Sequence, residues 1–203
     1  MVGEAPLVRL RVRTLRRVDD EGQRRSQLTV FCPTHLRSID VETCKVCARI
    51  ASVAEEAIEC TPAPSDRPPG DLRDVLRLGA DACVGDAMGH DAVAVDANLT
   101  VEPLLRGLAD AGAIVGIVVD EEGRLLGLVD AADVAGAARE RRAYELARPI
   151  TPVLESAPLA EAVLRMVHER SRALPVVDDE GQVVALLTDL DALRWVARRS
   201  RAP

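Results

Sequence analysis

An internal repeat constrains the fold of this chain more than any other feature. Sliding the sequence by 58 residues pairs Asp91–Asp133 with Pro149–Asp191 without a gap. Eight identities fall on apolar runs and turns: Val95/Val153, Val118/Val176, Val119/Val177, Asp120/Asp178, Glu122/Glu180, Gly123/Gly181, Leu128/Leu186 and Asp133/Asp191. A single unit of this size cannot bury its apolar face alone, so the two copies are expected to pack against each other.

Each copy has the pattern of a β-α-β-β-α unit. A short extended piece, AVAV or ITPV, precedes a segment with helical apolar spacing, and two apolar strands follow, joined by DEEG or DDEG. The glycine of each turn suits a positive φ. Second helices are predicted at AADVAGAARE and DLDALRWVARR. The predicted fold class is therefore α+β, with two packed repeats.

A proline-rich segment divides the chain. Residues 61–70, TPAPSDRPPG, include four prolines and are interpreted as a linker. A small β-rich domain is predicted over 1–60, and the repeat pair over 71–203, with repeat one at about 84–140 and repeat two at about 146–199. A domain of the smaller size has a marginal core, which a bound metal ion would stabilise.

Composition and charge limit the classes of partner that this protein is expected to bind. The longest apolar run, Ala111–Val119, is too short to span a membrane, and the first residues lack the apolar segment of a signal peptide, so a cytoplasmic protein without a membrane partner is expected. The net charge of −7 argues against nucleic acid as a partner, because the bulk of the chain would repel phosphates. Arginines alternate with apolar residues in LVRLRVRTL, which predicts a strand with a solvated arginine face.

The repeats resemble tandem cystathionine-β-synthase-type domains, known as the CBS pair or Bateman module. The resemblance covers roughly Cys83 to Arg199 and rests on VGDAM before repeat one, on LPVVDDEG in repeat two, and on ALLTDLD. The last of these is close to the family signature Gly-hydrophobic-hydrophobic-Thr/Ser-x-x-Asp, with Ala185 in place of the glycine. Members of this family regulate other proteins and bind adenosine-containing ligands such as AMP, ADP, ATP or S-adenosylmethionine.

The resemblance implies a ligand site at the end of repeat two. Asp191 would accept hydrogen bonds from the ribose hydroxyls, and Thr188 at the start of the last helix would face a phosphate. Arg172 and Arg148 are candidate phosphate partners. The expected adenine contacts are Ile150, Thr151, Pro152, Val153, Pro175 and Val176. The alternative is that Thr188 only caps the helix and the module binds nothing.

The corresponding site of repeat one departs from the signature. Gly127 and Asp133 match it, but Asp130 stands where a threonine is expected. A carboxylate there would meet ligand phosphates with like charge, at a cost on the order of 1 kcal/mol. Repeat one is therefore expected to hold a degenerate second site.

Four cysteines in the N-terminal segment form the other candidate site. Cys44 and Cys47 have the spacing of a zinc knuckle, Cys32 lies upstream, and either His35 or Cys60 would be the fourth ligand. Zinc is the favoured interpretation. A redox pair, an iron–sulfur cluster and ordinary buried cysteines are the alternatives, and Cys83 is interpreted as a small core residue.

No arrangement of catalytic residues is present in the sequence, so an enzyme is not expected. The leading hypothesis is a regulatory adenine-nucleotide sensor that signals to an unknown protein through a metal-stabilised N-terminal domain. The resemblance also implies a homodimer formed through the repeats. The alternative is a scaffold whose repeats only dimerise, and whose metal domain contacts a protein or nucleic acid.

Overall fold

The computed structural model describes residues 7–61, 82–89 and 91–199. Most of the predicted linker, residues 62–70, lies outside the described residues. The first part of the chain forms six strands and one short helix. These are β1 (Val8–Arg11), β2 (Arg13–Val18), β3 (Arg24–Cys32), β4 (Arg37–Asp40), α1 (Val41–Lys45), β5 (Ile50–Val53) and β6 (Ala57–Cys60).

The two repeats follow with the same order of elements. Repeat one contains α2 (Val84–Ala87), β7 (Ala92–Asp96), α3 (Val101–Asp110), β8 (Val115–Val119), β9 (Leu125–Asp130) and α4 (Ala131–Ala135). Repeat two contains α5 (Ala143–Leu146), β10 (Val153–Leu154), α6 (Leu159–Glu169), β11 (Ala173–Val177), β12 (Val183–Thr188) and α7 (Asp189–Arg199). Gly123 and Gly181 have φ of 80° and 81° in the two strand-connecting turns, as predicted.

Within the described residues the strands form three sheets. Repeat two makes the three-stranded sheet β10-β11-β12, and β1, β6 and β5 make a second. The third sheet has six strands in the order β4-β3-β2-β7-β8-β9, so it runs from the N-terminal segment into repeat one. The junction is the parallel pairing of β2 with β7, in which Leu15 lies opposite Ala92.

The repeats pack against each other as predicted. Buried side chains of both copies share one cluster, in which Ile117 and Leu128 of repeat one meet Val177 and Leu186 of repeat two. Leu15 of β2 belongs to the same cluster, so the N-terminal segment contributes to the core between the repeats.

The N-terminal arginine pattern differs from the prediction at one position. Val8 and Leu10 face inward in β1 while Arg9 and Arg11 are exposed, but Arg13 is buried, with 4% of its surface accessible. Val12 lies between the two strands and donates its amide to Glu56 O at 2.9 Å. This one-residue interruption exchanges the inward and outward faces of the chain, because side chains alternate with period two.

Two elements are shorter than predicted. The helix expected over AADVAGAARE ends at Ala135, immediately before Gly136. Of the extended piece ITPV only Val153 lies in a strand, because β10 consists of Val153 and Leu154. In the described parts of the chain, no helix is long and apolar enough to cross a bilayer.

Candidate functional site

Thr188 and Asp191 hold each other at the junction of β12 and α7. The Thr188 hydroxyl donates to Asp191 Oδ2 at 2.7 Å, and the Thr188 amide donates to the same oxygen at 3.0 Å. The Asp191 amide in turn donates to Thr188 Oγ1 at 3.1 Å. These reciprocal bonds satisfy backbone groups at the helix start and fix the orientation of the carboxylate.

The Asp191 carboxylate is covered by groups from outside repeat two. Only 1% of Asp191 is exposed. A Cβ placed on Gly89 would lie 3.0 Å from Asp191 Oδ1 and 3.4 Å from Arg11 Nη1, so all three residues border one small space. The guanidinium of Arg13 lies beside it, where Nη1 contacts Met88 Sδ at 3.4 Å. The first residues of repeat one, Met88 and Gly89, and the N-terminal strands therefore close over the end of repeat two.

A chain of hydrogen bonds links Arg13 to repeat two. Arg13 Nη2 donates to Ser38 Oγ at 2.9 Å, and that hydroxyl donates to Glu155 Oε2 at 2.7 Å. The Ser38 amide also donates to Glu155 Oε1 at 2.6 Å. Glu155 is 3% exposed. Arg13, Glu155 and Asp191 thus form a buried polar cluster between β2, β4 and repeat two.

Burial shifts the ionisation of this cluster. Burial lowers the pKa of Arg13 to about 10, against the attraction of Glu155 and Asp191, which raises it. Burial also raises the pKa of Glu155, and the charge of Asp178 adds to that shift, whereas the bonds from Ser38 and the charge of Arg13 oppose it. For both Arg13 and Glu155 burial therefore outweighs the attraction between their charges, which only partly offsets the cost of removing each charge from water.

The other predicted residues of the repeat-two site lie in two places. Pro175 and Val176 are buried in β11, and Val153 pairs with Val176. Arg172 is exposed and forms an ion pair with Asp189 at 3.1 Å, at the first residue of α7. The carbonyls of Thr151 and Pro152 accept hydrogen bonds from Arg165, the second at 3.0 Å.

Arg148, Ile150 and Thr151 lie at the opposite cleft, beside the end of repeat one. They line a pocket of about 620 Å³ together with Leu128, Pro149, Glu169, Arg170 and Ser171. The backbone of Arg148 pairs with that of Leu128, with N···O distances of 2.8 and 3.0 Å. The structure therefore does not bring these three predicted residues together with Thr188 and Asp191.

The degenerate site of repeat one differs from its counterpart in burial and in charge. Asp133, which corresponds to Asp191, is exposed. Asp130 precedes α4 without capping it through its side chain, and its carboxylate forms an ion pair with Arg148. This pairing offsets the like-charge repulsion that the sequence analysis assigned to Asp130.

The four N-terminal cysteines lie near one another as free thiols. Cys44 and Cys60 are buried, Cys32 is half-buried and Cys47 is exposed. The Cys47 amide donates to Cys44 O at 3.0 Å, which turns the chain between the two. Burial raises the pKa of both Cys44 and Cys60, and charge on neighbouring thiols raises it further.

The predicted metal site itself is not shown by the structure. Within residues 7–61, 82–89 and 91–199, no three His, Cys, Asp or Glu side chains are arranged to hold a metal ion. His35 is exposed in the turn after Cys32. Cys83 is buried, as the sequence analysis predicted, at 5% exposure.

Family comparison identifies both repeats. The family model described as the CBS domain matches residues 84–140 and again residues 143–198. The chain belongs to the CBS domain family. The predicted tandem CBS pair is thereby confirmed, and with it the regulatory domain class.

Known CBS proteins are similar in sequence and in fold. The magnesium transporter MgtE of Thermus thermophilus is 36% identical over 115 residues, which are 54% of this chain and 26% of the transporter. The chain thus spans about a quarter of that curated relative.

Two solved CBS structures have the same fold. The CBS pair of protein MJ0100, in complex with 5′-methylthioadenosine and S-adenosyl-L-methionine, has a TM-score of 0.52 at 23% identity and covers 58% of this chain and 98% of that one. The protein CBSX2, in complex with AMP, also has a TM-score of 0.52 at 23% identity, covering 59% of this chain and 99% of that one.

Three residues that surround the CBS cleft of repeat two are not predicted from the sequence. Arg13 and Ser38 come from the N-terminal segment, and Glu155 stands where repeat one has Ala97. Comparison of the two repeats could have indicated Glu155, because a glutamate replaces a small apolar residue at an equivalent position between strand and helix. Nothing local marks Arg13, because its burial depends on the interruption at Val12.

Proposed function

We propose that this CBS pair is a regulatory module that senses an adenosine-containing ligand at the end of repeat two. The observation that supports the proposal best is the fixed Asp191 carboxylate at the start of α7. Its Oδ2 is held by Thr188, while Oδ1 lies beside Gly89, 3.0 Å from a Cβ placed on that glycine. A carboxylate held in this way is suited to accept hydrogen bonds from the two hydroxyls of a ribose.

The ligand class is proposed from chemistry and from similar proteins. AMP, 5′-methylthioadenosine and S-adenosylmethionine, named in the two similar complexes, all contain adenosine. In this chain Val153, Pro175 and Val176 are buried within repeat two, and we propose that an adenine would contact them when the cleft opens. Arg172, exposed beside the first residue of α7, supplies a cation for a phosphate.

The pocket at repeat one is the second candidate location for the ligand. It has the volume of a small-ligand site, and Arg148 and Arg170 give it two cations. Ile150 and Thr151 contribute apolar and polar contacts there. Its weakness is the lack of a buried carboxylate for a ribose, since Asp133 is exposed.

Thermal shift measurements with AMP, ATP and S-adenosylmethionine test the proposal. Asp191→Asn preserves the shape of the side chain, and Asp133→Asn is the matched control at the equivalent position of repeat one. Ligand should raise Tm of the wild type and of Asp133→Asn, but not of Asp191→Asn, because bound ligand stabilises only a protein that retains the site. Loss of the shift in Arg148→Ala alone would place the ligand in the pocket instead. If ligand shifts the Tm of none of these proteins, the proposal that the module senses an adenosine-containing ligand is contradicted.

A dimerisation scaffold is the alternative function. Two neighbouring helices, α6 and α7, expose large apolar side chains, including Val167 at 69% and Leu193 at 65%. A second copy of the chain is the occupant that we propose for this face, in keeping with the homodimer expected for the family. A scaffold would dimerise through these helices and show no response to adenosine ligands.

We propose that the N-terminal segment binds zinc through Cys32, Cys44, Cys47 and Cys60. The support is the two-residue spacing of Cys44 and Cys47, which is common in zinc sites, and the proximity of the thiols, which raises the pKa of Cys44 and Cys60. Zinc would have to draw the four side chains around one point, since the described side chains are not arranged in that way. Zinc binding would remove the mutual repulsion of the thiolates and stabilise the small core around Val30, Val41 and Ile58. Metal analysis of purified protein tests this part separately.

A further inference from the structure

The two repeats offer an internal comparison, because equivalent residues are 58 positions apart. Asp191 and Asp133 occupy the same place in their copies, yet Asp191 is 1% exposed and Asp133 is exposed. The helices on which they lie share one backbone contact, in which the amide of residue 131 or 189 donates to the carbonyl of residue 114 or 172. They differ in that Asp191 is also held by Thr188, and in what lies over each cleft.

The cover over Asp191 comes from the N-terminal strands. The sheet of repeat one is extended by β2, β3 and β4 along the free edge of β7, and this extension places Arg13 and Ser38 against repeat two. Arg11 reaches the same space beside Gly89 that Asp191 borders. Repeat two has no such extension in the described chain, since its sheet consists of β10, β11 and β12.

The contacts of Arg13 explain why the cover is stable. A buried guanidinium is tolerated only when opposite charge and hydrogen bonds compensate for lost hydration. Ser38 provides the hydrogen bond, and the carboxylates of Glu155 and Asp191 provide the charge. The carboxylate that would bind a ribose therefore already faces a cation of the same chain.

We propose that the segment β1–β2 is an intramolecular cover on the repeat-two cleft, with Arg13 as its anchor, and that ligand binds only when this segment withdraws. The inference rests on the proposed function, because it concerns the regulation of the same site. Ligand binding would then be coupled to release of the N-terminal strands, because only the open conformation binds ligand. The position of the N-terminal segment would then depend on whether ligand occupies the repeat-two site.

Calorimetric titration of the full chain with AMP and with S-adenosylmethionine tests the cover. The variant is Arg13→Met, which keeps an unbranched side chain and removes the charge, and the matched control is Arg9→Met, an exposed arginine of β1. If the closed form predominates, removing its anchor should lower the apparent Kd at least about tenfold, because apparent affinity scales with the open fraction. Arg9→Met should bind as the wild type does.

Each other result contradicts the cover. Equal Kd values in the wild type and Arg13→Met would refute it while leaving the proposed function intact. Weaker binding by Arg13→Met would show that Arg13 contacts the ligand instead of excluding it. Absence of binding by all three proteins, at concentrations that saturate a millimolar site, would refute both the cover and the proposed function.

Two further measurements guard against a variant that does not fold. Ser38→Ala removes the bond to Arg13 and one bond to Glu155 but keeps the backbone amide, and it should tighten binding in the same direction. Hydrogen exchange on the wild type is the second measurement. Saturating AMP should speed exchange at the β2 amides, from Arg13 to Val18, and unchanged or slower exchange there would overturn the cover.

Discussion

Ser38 and Glu155 are joined by two hydrogen bonds across 117 positions of the chain, one from the backbone amide at 2.6 Å and one from the hydroxyl at 2.7 Å. They connect the N-terminal strand β4 to repeat two. The carboxylate is 3% exposed, so these bonds replace the hydration that it would have in water. The two parts of the molecule are thereby held by polar contacts as well as by apolar packing.

Ser38→Ala is expected to lower the free energy of unfolding by about 1–3 kcal/mol, because it leaves a buried carboxylate with fewer donors. Urea denaturation followed by circular dichroism measures the change. Ser26→Ala, an exposed serine of β3, is the control and should have little effect. Equal stability of the two variants would show that the hydroxyl bond contributes nothing.

Glu155 should make stability depend on pH. Burial raises its pKa in the folded state above the ordinary value of 4.5, although Ser38 and Arg13 oppose the shift and Asp178 adds to it. Above 4.5 the folded protein therefore binds more protons at this site than the unfolded chain, and stability falls as the pH rises through the folded pKa. Denaturation at several pH values should show this fall in the wild type relative to Glu155→Gln. A rise would mean that Arg13 outweighs burial.

Gly85→Ala should weaken the contact between the N-terminal segment and repeat one. A Cβ on Gly85 would lie 2.2 Å from Cε2 of Phe31, the single phenylalanine of the chain. Overpacking of this kind costs about 1–3 kcal/mol. Thermal unfolding measures it, with Gly136→Ala as the control, because the nearest atom to a Cβ there is 3.8 Å away. An unchanged Tm for Gly85→Ala would show that the ring moves aside freely.

Zinc is expected in the purified protein and should be lost in Cys44→Ser. Cys44 is a buried thiol whose pKa is raised by burial and by nearby Cys47 and Cys32, and removal of one ligand weakens a tetrahedral site strongly. Elemental mass spectrometry gives the metal content. Cys83→Ser is the control and should retain zinc, because Cys83 is a buried cysteine at the start of repeat one and is not among the proposed ligands. If the wild-type protein is fully stable without zinc, the zinc site is contradicted and the cysteines are ordinary packing residues.

Leu193→Glu should convert the proposed dimer to a monomer. Leu193 lies on the exposed apolar face of α7, where burial against a second copy would exclude a charged side chain. Light scattering after size-exclusion chromatography measures the mass. Leu28→Glu, an exposed leucine on β3, is the control. A monomeric wild type, or a dimer that survives Leu193→Glu, would contradict this interface.

The repeats could be predicted from the sequence because their signals are local. Alternating apolar runs, the turns at Gly123 and Gly181 and the spacing of 58 residues depend on neighbours in sequence, and the structure shows both units. The N-terminal pairing could not be predicted in this way. The partner of β2 is β7, which follows a segment of unrelated composition, and no feature of RTLRRV specifies it.

The candidate site was harder to predict for the same reason. Thr188 and Asp191 are three residues apart, and their interaction follows from the motif. The residues opposite them come from remote parts of the chain, namely Arg11, Arg13, Met88 and Gly89. Arg148 and Ile150 are expected in this role from the sequence, but both line the pocket beside repeat one.

The parallel pairing of β2 with β7 has a consequence for self-association. If β2 withdraws, β7 is left with a row of unpaired amides and carbonyls along one side. Such an edge is a template for the addition of another strand, from a regulated protein or from a second copy of this one. The opened, ligand-bound state would therefore also expose a strand edge that can bind another chain. The longer this state lasts, the more often that edge would bind a regulated protein or aggregate with other copies.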